Sequence, residues 1–147
     1  MDKNRTLEDV VKVKKYHEAQ MTKIEKLLDG GEVETPTPIG KTQCVFGTWL
    51  YGEENHIEEI VGERFFQDLE IAHADWHLEY IKIYNIFFKD KKKGFFSGLM
   101  GGNAIDPLEV DKAKMYYHEL KGYHKIVLDA LATCERRMNA LCETKFY

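Results

Sequence analysis

DPLEVDKAKMYYHELKGYHKIVLDALATCERRMNALCET, residues 106–144, is the stretch on which the fold turns. One stripe runs through Val110, Ala113, Tyr117, Leu120, His124, Val127, Leu131, Cys134, Met138 and Leu141. Its steps alternate between three and four, so these side chains fall on one face of an α-helix. An alternation kept up over this length is the pattern of a bundle seam or coiled coil. Asp106-Pro107 supplies an N-cap and a proline at the first helical position. A helix of about 37 residues spans roughly 55 Å. Its far end then overhangs shorter partners and exposes Met138, Leu141 and Phe146, for which a second copy of the chain is the simplest cover. The alternative is a helix that breaks at Gly122 or stops early.

Two breaks lie upstream. Residues 89–107 are rich in Lys and Gly, and residues 30–42, GGEVETPTPIGKT, are rich in Gly, Pro and Thr. Both residue types interrupt helices for backbone reasons. Between the breaks, Phe65 or Phe66, Leu69, His73, Trp76, Tyr80, Tyr84 and Phe87 form a second stripe, which predicts a helix over 63–89. CVFGTWLYG predicts a short helix over 42–51, and a helical turn is expected around 56–61. Before the first break, Val10, Val13, His17, Met21, Ile24 and Leu28 predict a helix over 6–29. Thr6 is its expected N-cap, and Gly30-Gly31 its stop. Strand-like alternation is scarce. The expected fold is all-α: an antiparallel four-helix bundle with a short second helix and a long C-terminal helix, in a single domain over 1–147.

Composition narrows the function. The chain has 147 residues, 44% apolar and 31% charged, with a formal net charge of −4. That charge argues against nucleic acid or an anionic membrane as the main partner. No apolar run is long enough to insert in a bilayer. The charged N-terminal segment does not read as a signal peptide, so the expected compartment is cytoplasmic. Three cysteines do not make a disulfide framework. Cys134 and Cys142, about 12 Å apart along one helix, cannot pair there.

Chemistry concentrates in four residues. His73 and His77 stand one turn apart, close enough for both imidazoles to bind one metal ion. Alone this spacing is weak evidence. His17 strengthens it, because it sits in the apolar stripe of a different helix, although such a histidine is commonly a core residue with a hydrogen-bond partner. Cys44 adds a soft donor, with a free buried cysteine as its alternative reading. Three imidazoles and a thiolate can close a tetrahedral shell, and they favour Zn²⁺ over magnesium or calcium. Gly47 stands where a Cβ would obstruct a close approach of the short helix. Trp49 reads as an anchor beside the metal or equally as plain core filler, and Trp76 as core. His124, on the long helix, either approaches the site or is a satisfied seam histidine. His56 and His118 lie off the stripes and read as solvated. The lysines at 89–93 read as an exposed loop. The apolar residues of loop 94–102 (Phe95, Phe96, Leu99 and Met100) either tuck over the bundle end or dock a partner.

Cys44-Val-Phe-Gly47-Thr-Trp49-Leu50, preceded by His17 and followed by His73 and His77, resembles the bacterial chemoreceptor zinc-binding (CZB) domain family. Residues 5–90 carry the likeness, and the long helix carries it more loosely. Gln20 departs from it where the family often has Trp, and the loop before the last helix is longer than usual. The likeness implies a zinc-binding sensory protein of chemotaxis or related signal transduction; a closed four-ligand zinc with no open position, and no catalytic constellation beside it, argue for that role over an enzyme. Its input would be zinc level or oxidation of the Cys44 thiolate, with hypochlorous acid as one oxidant. Its output would pass through a homodimer, or to a chemoreceptor or diguanylate cyclase. The chain reads as a free-standing member. A hemerythrin-like di-iron bundle is the alternative, since His73, His77, His124 and Asp129 match two of its motifs, but the required HxxxE is missing. A metal-free helical adaptor is the third reading.

Overall fold

The computed structural model describes residues 2–89 and 105–146, so the sequence expectations for loop 94–102 and for the lysines at 91–93 lie outside the described residues. The described residues form helices joined by turns and loops, with no strand among them. Helix α1 spans Lys3–Leu28, α2 Val45–Tyr51, α3 Ile57–Val61, α4 Glu63–Phe88 and α5 Pro107–Ala140. Single 3-10 turns at Glu53–Asn55 and Glu143–Phe146 complete the set. None of these helices is long and apolar enough to cross a membrane.

The stripes bury as their spacing dictates. Val10, Val13, His17, Met21, Ile24 and Leu28 of α1 are all buried. On α5, Ala113, Tyr117, Leu120, Val127, Leu131, Cys134 and Met138 are buried, and the helix passes through Gly122 unbroken. Asp106 caps α5 by accepting from the Leu108 amide at 3.0 Å, with Pro107 following it. On α4 the inward face is Leu69, Ala72, His73, Trp76, His77, Tyr80 and Ile83. Tyr84 and Phe87, expected on that stripe, are only partly buried, and Ile83 takes the inner place.

Contacts between the ends fix the topology. Cys134 lies on the Phe65 carbonyl at the start of α4, while Lys82 near its end stands over the Tyr116 ring of early α5. Helices α4 and α5 are therefore antiparallel. Lys3 donates to the carbonyls of Asn139 and Leu141 at 2.8 and 2.7 Å, so α1 also runs antiparallel to α5. The short α2 and α3 together fill the fourth position.

Three boundary expectations need correction. Helix α1 starts three residues earlier than expected, because Asp2 accepts from the Arg5 amide at 2.7 Å and caps it. Thr6 is instead a buried residue of the first turn. Helix α2 starts at Val45 rather than Thr42. The third correction concerns the end of α5. The helix stops at Ala140, and the following turn folds Phe146 back until it is 2% exposed, with Met138 fully buried. The chain covers its own apolar end, and the overhang that called for a second copy does not exist.

Candidate metal centre

Each donor is positioned by a different local device. His17 comes from the middle of α1 and His73 and His77 from consecutive turns of α4. Cys44 is the N-cap of α2: its Sγ accepts from the Gly47 amide at 3.2 Å. A thiol occupies the place usually held by a Ser or Asp oxygen. This geometry demands Gly47, because a Cβ there would overlap the Lys41 carbonyl oxygen. That carbonyl also lies 3.5 Å from the Cys44 sulfur. Lys41 itself is tied to α4 through Glu70 at 2.5 Å, and Tyr51 donates to the same carboxylate at 2.9 Å.

The donors converge. Ring nitrogens of His17, His73 and His77 lie within 4.8 Å of one another. His73 Nε2 stands 3.1 Å from His77 Nε2 and 3.3 Å from Cys44 Sγ. The sulfur meets the set at His73 and is not itself within 4.8 Å of all three imidazoles. Tetrahedral zinc, with Zn–N near 2.0–2.1 Å and Zn–S near 2.3 Å, implies N···N edges of about 3.3 Å and S···N edges of about 3.6 Å. The two observed separations are short by only a few tenths of an ångström and share one vertex, so the residues fit such an ion.

Protonation agrees with ligation. His77 Nδ1 lies 3.1 Å from the Ile39 carbonyl, which can only accept, so this nitrogen carries the proton and Nε2 offers its lone pair. Burial holds the imidazoles neutral, pushing His17 down to about 2, His73 to about 3 and His77 to about 4. Burial also pushes the Cys44 thiol up, so metal binding would release its proton. His17 Nε2 is a buried nitrogen with no hydrogen-bond partner, as a metal-facing atom would be in the protein alone.

Several contributors escaped the sequence reading. Phe46 packs on His73 with ring centres 4.5 Å apart, and Trp76 meets His17 at 4.4 Å and His77 at 4.9 Å. Trp49 packs behind Phe46, as its reading as core filler predicts, and not against the imidazoles. Gln20 accepts from the Thr37 hydroxyl at 2.6 Å, and Tyr80 donates to the Thr37 carbonyl at 2.7 Å. These bonds pin the strand of loop that presents the Ile39 carbonyl to His77. His56 and His118 are exposed, as expected. His124 approaches the site from α5, its Nδ1 lying 3.2 Å from His17 Nδ1.

Residues 17–84 match the family model of the chemoreceptor zinc-binding domain. Over that stretch the chain is similar to a CZB domain. The match begins at His17, contains Cys44, His73 and His77, and ends before α5. Comparison with curated proteins and with solved structures gave no match. Zinc is the cofactor of the CZB domain, and the grouped imidazoles suit it.

Proposed function

We propose that His17, Cys44, His73 and His77 hold one zinc ion in a closed His3Cys shell, and that the chain is a sensory or regulatory protein rather than an enzyme. The observation that carries this reading is the pair of near-tetrahedral edges meeting at His73 Nε2. Burial supports the non-catalytic part. The four residues are between 0 and 5% exposed, which leaves no room for a bulky substrate at them. A shell filled by four protein ligands also has no open coordination position for water.

Two inputs fit these residues. In one, zinc occupancy is the signal: the ion ties α1, α2 and α4 together, and its binding energy adds to their rigidity. In the other, an oxidant such as hypochlorous acid attacks the Cys44 thiolate. Sulfur takes up oxygen to become sulfenic acid, chlorine is reduced, and chloride leaves. The oxidised sulfur is a poorer ligand, and α2 shifts. Output passes through a homodimer, or to a chemoreceptor or cyclic-di-GMP synthase in the cytoplasm. Ile71 and Leu78 support a protein partner, since both are more than half exposed on α4. The di-iron alternative lacks support, because no carboxylate joins the histidine cluster among the described residues.

Metal analysis tests the site. One zinc per chain, lost in Cys44→Ala, is the expected result; a Cys44→Ala chain that keeps its zinc would remove Cys44 from the shell. Hydrogen exchange tests the redox input. Helix α2 should lose protection after mild oxidant, and unchanged protection with zinc retained would reject that mode.

A further inference from the structure

The CZB match ends before α5, yet α5 brings one titratable side chain to the centre. His124 is partly buried, and its Nδ1 lies 3.2 Å from His17 Nδ1. The two ring planes are within 6° of parallel, with centres 5.3 Å apart. Those centres are nearly as far apart as a 3.2 Å nitrogen pair permits. The rings are therefore side by side in one plane rather than face to face, with the two nitrogens pointing at each other. That is the geometry of an in-plane N–H···N hydrogen bond.

Only one of the two nitrogens can carry the proton. If His124 donated, the neutral His17 ring would carry its proton on Nε2, a buried atom with no acceptor. If His17 donates, Nε2 is left as a lone pair facing the cluster. A metal at that lone pair fixes the direction: His17 Nδ1–H donates, His124 Nδ1 accepts, and His124 keeps its own proton on Nε2. His77 has the equivalent arrangement with the Ile39 carbonyl. His17 has no carbonyl in that role, and a side chain of the long helix serves instead.

We infer that His124 is the positioning residue of the zinc centre: it accepts from His17 Nδ1–H, holds Nε2 toward the metal, and couples α5 to zinc occupancy. This rests on the zinc site proposed above. Orienting partners of this kind are commonly worth about 10- to 100-fold in metal affinity.

The test is zinc competition against a chromophoric chelator, with wild type, His124→Leu and His124→Asn. Leucine removes the acceptor, whereas asparagine can place an amide oxygen near the former Nδ1. Leucine should weaken zinc binding by about 10- to 100-fold, and asparagine should recover most of it. Nitrogen-15 NMR of zinc-loaded wild type should show His17 protonated at Nδ1 and His124 protonated at Nε2 only. That measurement needs no variant to fold. Wild-type affinity in the leucine variant, or equal losses in both variants, overturns the inference while leaving the site intact. So does a metal-bound shift on either His124 nitrogen, which would make it a ligand. A wild-type chain that binds no zinc overturns the site and this role together.

Discussion

Cys44 and Cys134 are buried to the same degree, at 1 and 0% exposure, yet their surroundings differ. Burial pushes both thiols up, Cys134 to about 11. Around Cys134, in the end of the bundle, the sulfur meets the Phe65 carbonyl among apolar side chains. Around Cys44, in its middle, the sulfur meets a backbone amide and an imidazole that is itself paired with another. Burial alone therefore says nothing about ligation. What distinguishes the middle is that α1 and α4 group three imidazoles there and Cys44 of a third segment touches one of them.

The largest expected contrast is in metal affinity. Four-ligand structural zinc sites bind with roughly 10–16 kcal/mol, or about 3 kcal/mol per ligand. Cys44→Ala should therefore weaken zinc binding more than a hundredfold, whereas Cys134→Ala should leave it unchanged and cost about 1 kcal/mol of stability through a small cavity. Chelator competition and urea unfolding on both variants measure the two. Equal zinc affinities would erase the distinction between the regions.

Proton linkage gives the next contrast. In zinc-free protein the folded imidazoles titrate far below the ordinary 6.5, at about 2, 3 and 4 for His17, His73 and His77. Below pH 6.5 the unfolded chain binds protons that the folded chain does not. Stability is therefore complete above about pH 6.5 and falls as pH drops toward the folded values. Each ring contributes a slope of up to about 1.4 kcal/mol per pH unit. Replacing His73 by Phe should flatten that slope by one ring, as urea midpoints at a series of pH values would show. Cys134→Ala should not change it.

Much of the centre was legible in the chain, for a physical reason. His17, His73 and His77 sit on helices whose three-four spacing dictates which face turns inward, so local periodicity predicts their convergence on the core. The start of α2 was less legible, because a thiol is not an expected cap, and Asp2 and Thr6 were equally good caps for α1. Nothing local says that Phe146 folds back, or that Phe46 and Trp76 rather than Trp49 touch the imidazoles. Those contacts depend on tertiary packing. Gln20 looked like a mere departure from the family; its reason, the Thr37 hydroxyl, lies seventeen residues away.

Smaller effects sharpen the same contrast. Gly47→Ala forces a Cβ against the Lys41 carbonyl and should cost about 1–3 kcal/mol in thermal unfolding, with zinc affinity falling too. An alanine at Gly122 of α5, where a Cβ meets open space, should instead stabilise by about 1 kcal/mol. Thr37→Val should be mildest: it removes the hydroxyl bond to Gln20, costs about 1 kcal/mol, and lowers zinc affinity only slightly through the Ile39 carbonyl. A large zinc defect in that variant would mean the loop contributes more to the centre than its single carbonyl.

One atom, the sulfur of Cys44, serves two masters at once: a helix end and a cluster of rings. Serine at that position should satisfy the first and fail the second, giving a chain that keeps α2 but not the metal. Histidine could satisfy the second, but its long planar side chain cannot reach back to the Gly47 amide. Aspartate alone could offer an oxygen to each, but as a harder donor than thiolate, so few replacements meet both demands and any chemical change to that sulfur must register in the backbone as well as at the rings.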